Sequence, residues 1–270
     1  MKYLNRLFLL ALFSFMASAG LVLAQVATVF ELTGTATAAA AVATGSPAAA
    51  LRTLRQGDRI NQGDSIVTGA KSSIVLRFLD GQVVSLAANS TFAVTAYTYN
   101  AVNPAQSNVL LSLINGGMRA VTGLIGKARP QAVAYRAAGA TVGIRGTDIS
   151  IAVSGGTLIL NVNTGLITFQ GSIPAGSAPG TAAPAPISVL AGQGVLSTTS
   201  TTAGAAATVT VGNPAAIQAA LAAAIAQNPT AAPQLANLAA AIVAVVAPNS
   251  PTANAVTNAV QSSSAVTAAF

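Results

Sequence analysis

The sequence predicts a mainly β protein of short antiparallel strands, followed by a C-terminal alanine-rich helical segment. Three observations lead there. Apolar residues alternate with period two from Gln25 to about Ser154, glycine interrupts that alternation every several residues, and alanine at helical spacing takes over from Asn213. Alternation puts residues i and i+2 on one face of a strand, glycine accepts the positive φ of tight turns, and alanine is the best helix former.

Ahead of the strands, residues 1–24 read as a signal peptide. Met1 to Arg6 carries two positive charges, Leu7 to Leu23 is nearly all apolar, and Val22-Leu23-Ala24 supplies an exit for cleavage before Gln25. Ala17-Ser18-Ala19 also satisfies the small-residue rule, and an apolar run of about 17 residues sits at the lower limit for an uncleaved span. The expectation is export, to the periplasm or the cell surface, with no integral membrane segment once the leader is removed. Cysteine is absent, so no disulfide supports the fold in that oxidising setting.

Residues 25–154 form the first predicted β-domain. In "SIVLRFLDGQVVSL", Ile74, Leu76 and Phe78 share one face, and Asp80-Gly81 marks a hairpin turn before Val84 and Leu86. Two Gly-Asp pairs, Gly57-Asp58 and Gly63-Asp64, each precede a short strand-like run. Residues 155–197 form a second β segment around "GTLILNVNTGLITFQG" and "ISVLAGQGVLS", separated by a Pro/Gly/Ala-rich loop from Ser172 to Pro186. Residues 198–212, rich in Ser, Thr, Ala and Gly, read as a linker. In residues 213–270, Asn213-Pro214 and Asn228-Pro229 are helix starts, Ile217, Leu221 and Ile225 make one apolar stripe, and Leu235, Leu238, Ile242 and Val245 make another. Pro248 and Pro251 are expected to stop that second helix, with a third segment from about Ala253. Such uncharged helices must pack on something, either the β-domain or another copy.

Charge narrows the chemistry. Without Lys2 and Arg6 there are ten basic and five acidic residues, and nothing after Asp148 is ionisable. The "GDSI" at Gly63 to Ile66 resembles a hydrolase motif, but a serine nucleophile needs a general base and the chain has no histidine. Zinc ligands are missing, and the aspartates lack the close spacing of a calcium loop. An acid/base pair could come only from Glu31, Asp58, Asp64, Asp80 and Asp148, three of which stand beside glycine as turn formers. "GLIGKA" fails as a phosphate loop at Val121 and Ala128 and reads as a glycine-rich connection. Arg119, Lys127, Arg129 and Arg136 could offer weak contact to an anionic envelope surface. Nucleic acid is not expected, with 12 aromatic residues, no Trp and no aromatic-basic interleaving. No catalytic, cofactor or metal residue is assigned. "GIRGTD" reads as a turn in which Gly143 and Gly146 allow sharp angles and Arg145 reaches inward to Asp58, Asp64 or Asp80 as a clamp.

"LRQGDRINQGDSIVTGAKSSIVLRFLDGQVVSLAANSTFAV", followed by "ATVGIRGTDISI", resembles the FecR-like domain family. The signature residues are Gly63, Asp64, Gly69, Asp80 and Gly81 in the first motif and Gly143, Arg145, Gly146 and Thr147 in the second. The resemblance implies a non-catalytic extracytoplasmic domain, built as a β-sandwich or short β-solenoid, in which these residues are structural. Well-known members relay a receptor's state across the inner membrane to a sigma factor. Here only six residues precede the apolar run, so the expectation is an exported, stand-alone member whose partner is a receptor, an envelope component or a second copy.

Overall fold

The computed structural model describes residues 24–41, 50–173, 177–178, 181–198, 207–227, 232–246 and 250–261. The expected signal peptide therefore lies outside the described residues, apart from Ala24. So do parts of the Pro/Gly/Ala-rich loop and the linker, the Asn228-Pro229 start, Pro248, and the chain beyond residue 261.

The strands are β1 (Gln25–Thr33), β2 (Ala36–Ala39), β3 (Arg52–Thr53), β4 (Arg59–Asn61), β5 (Ser65–Thr68), β6 (Ser73–Phe78), β7 (Val83–Leu86), β8 (Thr91–Thr98), β9 (Asn108–Val121), β10 (Val133–Ala137), β11 (Ala140–Ser154), β12 (Thr157–Gln170), β13 (Ile187–Leu190), β14 (Gly194–Thr198) and β15 (Thr208–Gly212). The helices are α1 (Leu124–Ala128), α2 (Pro214–Gln227), α3 (Ala232–Val245) and α4 (Pro251–Gln261). All fifteen strands are hydrogen-bonded into one sheet.

That sheet folds over on itself, and the long strands show how. The first half of β9 pairs with β8 and, in parallel, with β10, whereas its second half pairs with β7 and β11. The change falls at Gly116, whose φ is +88° and where a Cβ would lie 2.5 Å from the Ser90 backbone. Buried positions switch phase across it, from Val109, Leu111 and Leu113 to Met118 and Ala120. β11 makes the same passage at a bulge between Arg145 and Asp148, with Gly146 at φ +58°. The two halves close on a shared core containing Ile74, Leu76, Phe92, Leu111, Ile151 and Leu160.

The mainly β class with C-terminal helices is as expected, and three of the strands are longer than the alternation suggests. β9, β11 and β12 run 14, 15 and 14 residues. Glycine there bends a continuous strand instead of ending it, which is what a β-bulge does. β12 pairs along its length with β11, across the expected boundary at residue 154. Thr208–Gly212, read as linker, forms β15 against β14 because its alternating Thr and Val suit an edge strand.

Helices α2 to α4 cover the outer face of one half of the sheet. Ile217, Leu221, Leu238, Ile242 and Val256 form a second apolar cluster with Ala152, Ile159 and Leu196 of the strands. The middle of β11 and β12 is accordingly buried on both faces. Asn213 accepts a bond from the amide of Ala216 at 3.0 Å and caps α2. Pro251 opens α4 instead of stopping α3, because Ser250 Oγ accepts the Ala253 amide at 3.2 Å and proline needs no donor in a first turn. Among the described residues, no helix is long and apolar enough to cross a membrane.

Candidate functional site

The first signature builds two buried carboxylates into turns. Asp64 Oδ2 accepts the Asn61 amide at 2.9 Å and pairs with Arg52 of β3. Gly63 takes the positive φ that this turn needs, and its amide bonds to Val94 of β8. Asp80 follows β6, and Gly81 completes the expected hairpin turn with its amide on Phe78 at 3.0 Å. Asp80 Oδ1 accepts the Tyr97 hydroxyl at 3.0 Å and the Gln82 amide at 3.1 Å, and Oδ2 accepts the Ile125 amide at 3.3 Å. The carboxylate thus receives the first turn of α1, the segment expected to be only a connection. Gly123 makes this approach feasible, since a Cβ there would lie 2.4 Å from Asp80 Oδ2. Gly69 sits close against Thr35, where a Cβ would come within 2.4 Å of the hydroxyl. Asp58 accepts the Arg55 amide of its own turn at 2.8 Å.

The second signature departs from the inward clamp. Arg145 is exposed and, among the described residues, forms no ion pair. The bulge turns its side chain outward while Thr147, two residues on, points in. The Thr147 amide donates to Thr122 Oγ1 at 2.8 Å, and that hydroxyl donates to the Thr147 carbonyl at 2.8 Å. Gly143 stays extended beside Thr168, whose hydroxyl a Cβ would meet at 2.6 Å. Arg52 and Arg119 are the arginines that hold carboxylates.

Asp148 anchors a polar chain that no spacing in the sequence announced. Arg119 grips it with two bonds, Nε to Oδ1 at 2.9 Å and Nη2 to Oδ2 at 2.6 Å. Asn163 Nδ2 donates to Asp148 Oδ1 at 3.0 Å, and Asn161 Nδ2 donates to Asn163 Oδ1 at 2.6 Å. Thr252 of α4 donates to Asn161 Oδ1 at 2.5 Å, and Ser150 Oγ donates to the Val245 carbonyl at the end of α3 at 3.2 Å. Burial pushes the Asp148 pKa up, but the bonds from Arg119 and Asn163 outweigh it and hold the group below its ordinary value. The chain ties the bulge of the second motif to both later helices. One signal was available: Asn161 and Asn163 share a face of β12 next to the apolar run Leu158 to Leu160.

Beside this chain a groove of about 590 Å³ runs between the end of α3 and β6, β7 and β9. Ser73, Val75, Ser85, Arg119, Val243 and Val246 line it. The basic residues expected to act together are separated. Arg119 is paired, Arg129 bonds to the Ala105 carbonyl, Arg136 stands exposed on β10, and Lys127 lies in the last turn of α1.

Residues 64–168, which contain Asp80, the bulge and most of this polar chain, match the family model described as FecR protein. Over that stretch, the chain is similar to FecR proteins. Two crystal structures of a protein from Parabacteroides distasonis, provisionally described as an anti-sigma factor, are similar to it. Each is 14% identical, with TM-scores of 0.39 and 0.40 over 58% of this chain. The alignments span 63% and 62% of those chains, less than two thirds of their length. No curated protein matches the sequence. The matched segment ends inside β12, and β13 to β15 and α2 to α4 lie beyond it.

Proposed function

We propose that this protein is an exported, non-enzymatic FecR-type binding module of the cell envelope, which recognises a protein partner through the groove between α3 and the sheet. One observation carries the reading. Asp58, Asp64, Asp80 and Asp148 are each engaged in an internal bond and no acid is among the residues that line the groove, so it offers recognition groups and not a carboxylate poised for proton transfer. Apolar walls with a few fixed polar groups are what a binding site requires. A photo-crosslinking residue at Ser85 or Val243 should capture one recurrent envelope protein, and the same residue at Thr95 on the other half of the sheet should not. Equal labelling from all three positions would defeat the reading.

A second reading is a periplasmic signalling component that relays the state of a receptor to an inner-membrane partner, and the FecR match favours it. The same experiment separates the two. Capture of an outer-membrane receptor or an inner-membrane sensor supports relay, and capture of another envelope component or only of the protein itself opposes it.

A further inference from the structure

The opposite end of the same outer face carries a different chemistry. β1 lies between β4 and β6, and its Thr28 is in register with Arg59 on one side and Arg77 on the other. The two arginines are therefore about 10 Å apart, two interstrand spacings. Arg77 lies over the ring of Phe30, its guanidinium carbon 4.8 Å from the centroid. Phe30 is 51% exposed, and Leu79, two residues beyond Arg77 on the same face, is 54% exposed. The register carries the face onward through Val83 to Val121, 43% exposed. Leu124, 57% exposed, is held alongside by its amide bond to the Asp80 carbonyl, and Lys127 stands one helical turn later. Glu31, beside Val75, is the one acid on these strands, and Asp148 at the far side is already held by Arg119.

Cations and large apolar side chains alternate across this surface. The charge on this surface is mostly of one sign, with Arg59, Arg77 and Lys127 against Glu31 on the same strands, so its complement is anionic. Interleaved guanidinium and apolar groups suit a layer in which phosphates accept the arginines while Phe and Leu enter between headgroups. Among the described residues, neither Arg59 nor Arg77 forms an ion pair.

We propose that the face formed by Arg59, Arg77, Phe30, Leu79 and Leu124 docks on an anionic phospholipid surface. Co-sedimentation of the chain from Gln25 onward, which contains every strand and helix described above, tests this. Vesicles of phosphatidylcholine with phosphatidylglycerol should bind it, vesicles of phosphatidylcholine alone should not, and salt should weaken the binding. Arg59→Gln with Arg77→Gln should lower the affinity at least about tenfold, as expected for two cations near an anionic leaflet. Arg136→Gln with Arg145→Gln removes the same charge elsewhere and should change little. Phe30→Ser with Leu79→Ser should weaken binding while preserving its salt dependence. Equal losses from the two arginine pairs would reduce the effect to net charge and overturn the proposal. So would failure to bind anionic vesicles, including the case in which polyglutamate is bound instead.

Discussion

At the scale of single residues, the buried hydroxyls and carboxylates set the response to pH. Burial first, and Asp80 second, push the hydroxyl pKa values of Tyr97 and Tyr135 well above the usual tyrosine range. A group whose folded pKa is raised keeps its contribution below the unfolded value, about 10 for tyrosine, and loses it as pH rises further. Thermal melts should therefore show stability falling above about pH 10. The two tyrosines separate on substitution. Tyr97→Phe leaves the buried Asp80 short of a donor and should cost about 1–3 kcal/mol, while Tyr135→Phe removes a hydroxyl without a partner among the described residues and should be near neutral. Asp148 has the opposite sign. Its depressed pKa makes the Arg119 pair stabilising above the unfolded value of about 4, and that contribution is lost as pH falls through the folded one. Asp148→Asn should cost about 1–2 kcal/mol at neutral pH, a figure held down by the exposure of Arg119, and should flatten the acid limb of a Tm-against-pH curve.

At the scale of elements, the bends in the long strands decide which glycines matter. Gly146→Ala meets open space and suffers only the left-handed φ, so a cost of about 1 kcal/mol is expected. Gly116→Ala has the same backbone problem and also drives a Cβ into Ser90, so denaturant unfolding should show a loss above about 3 kcal/mol. Arg145→Ala, beside the bulge, should stay within about 0.5 kcal/mol, because its exposed guanidinium forms no ion pair among the described residues. The hairpin at Asp80-Gly81 was readable because turn and alternation agreed locally. The bulge was not, since a glycine pair looks the same in a turn as inside a strand, and only the partner strands tell them apart.

At the scale of the whole molecule, the helices act as a third layer. Their apolar residues face Ala152, Ile159 and Leu196, so they stabilise their own chain and are spent before any second copy could use them. Deleting Asn213 to Phe270 should expose that sheet face, and size-exclusion chromatography should show the truncated form associating while the full form does not. Thr252→Val is a milder test of the same layer. It breaks the bond to Asn161 under α4 and should lower Tm by a few degrees, the shift expected for about 1 kcal/mol.

The sequence by itself determined the β class, the uncharged helical ending and the local turns of the first motif. Each follows from residues close together along the chain, where alternation, glycine and alanine act directly. It also determined that Asp58, Asp64 and Asp80 would serve turns, because aspartate beside glycine bonds its own backbone. Only the tertiary structure decided that Arg52 and Arg119 hold carboxylates and Arg145 does not, and that Asn161, Asn163 and Thr252 complete a chain beneath the helices. Those partners are separated by up to 91 residues. Which of them meet depends on where bent strands cross from one half of the sheet to the other, and periodicity along a single strand carries no record of that.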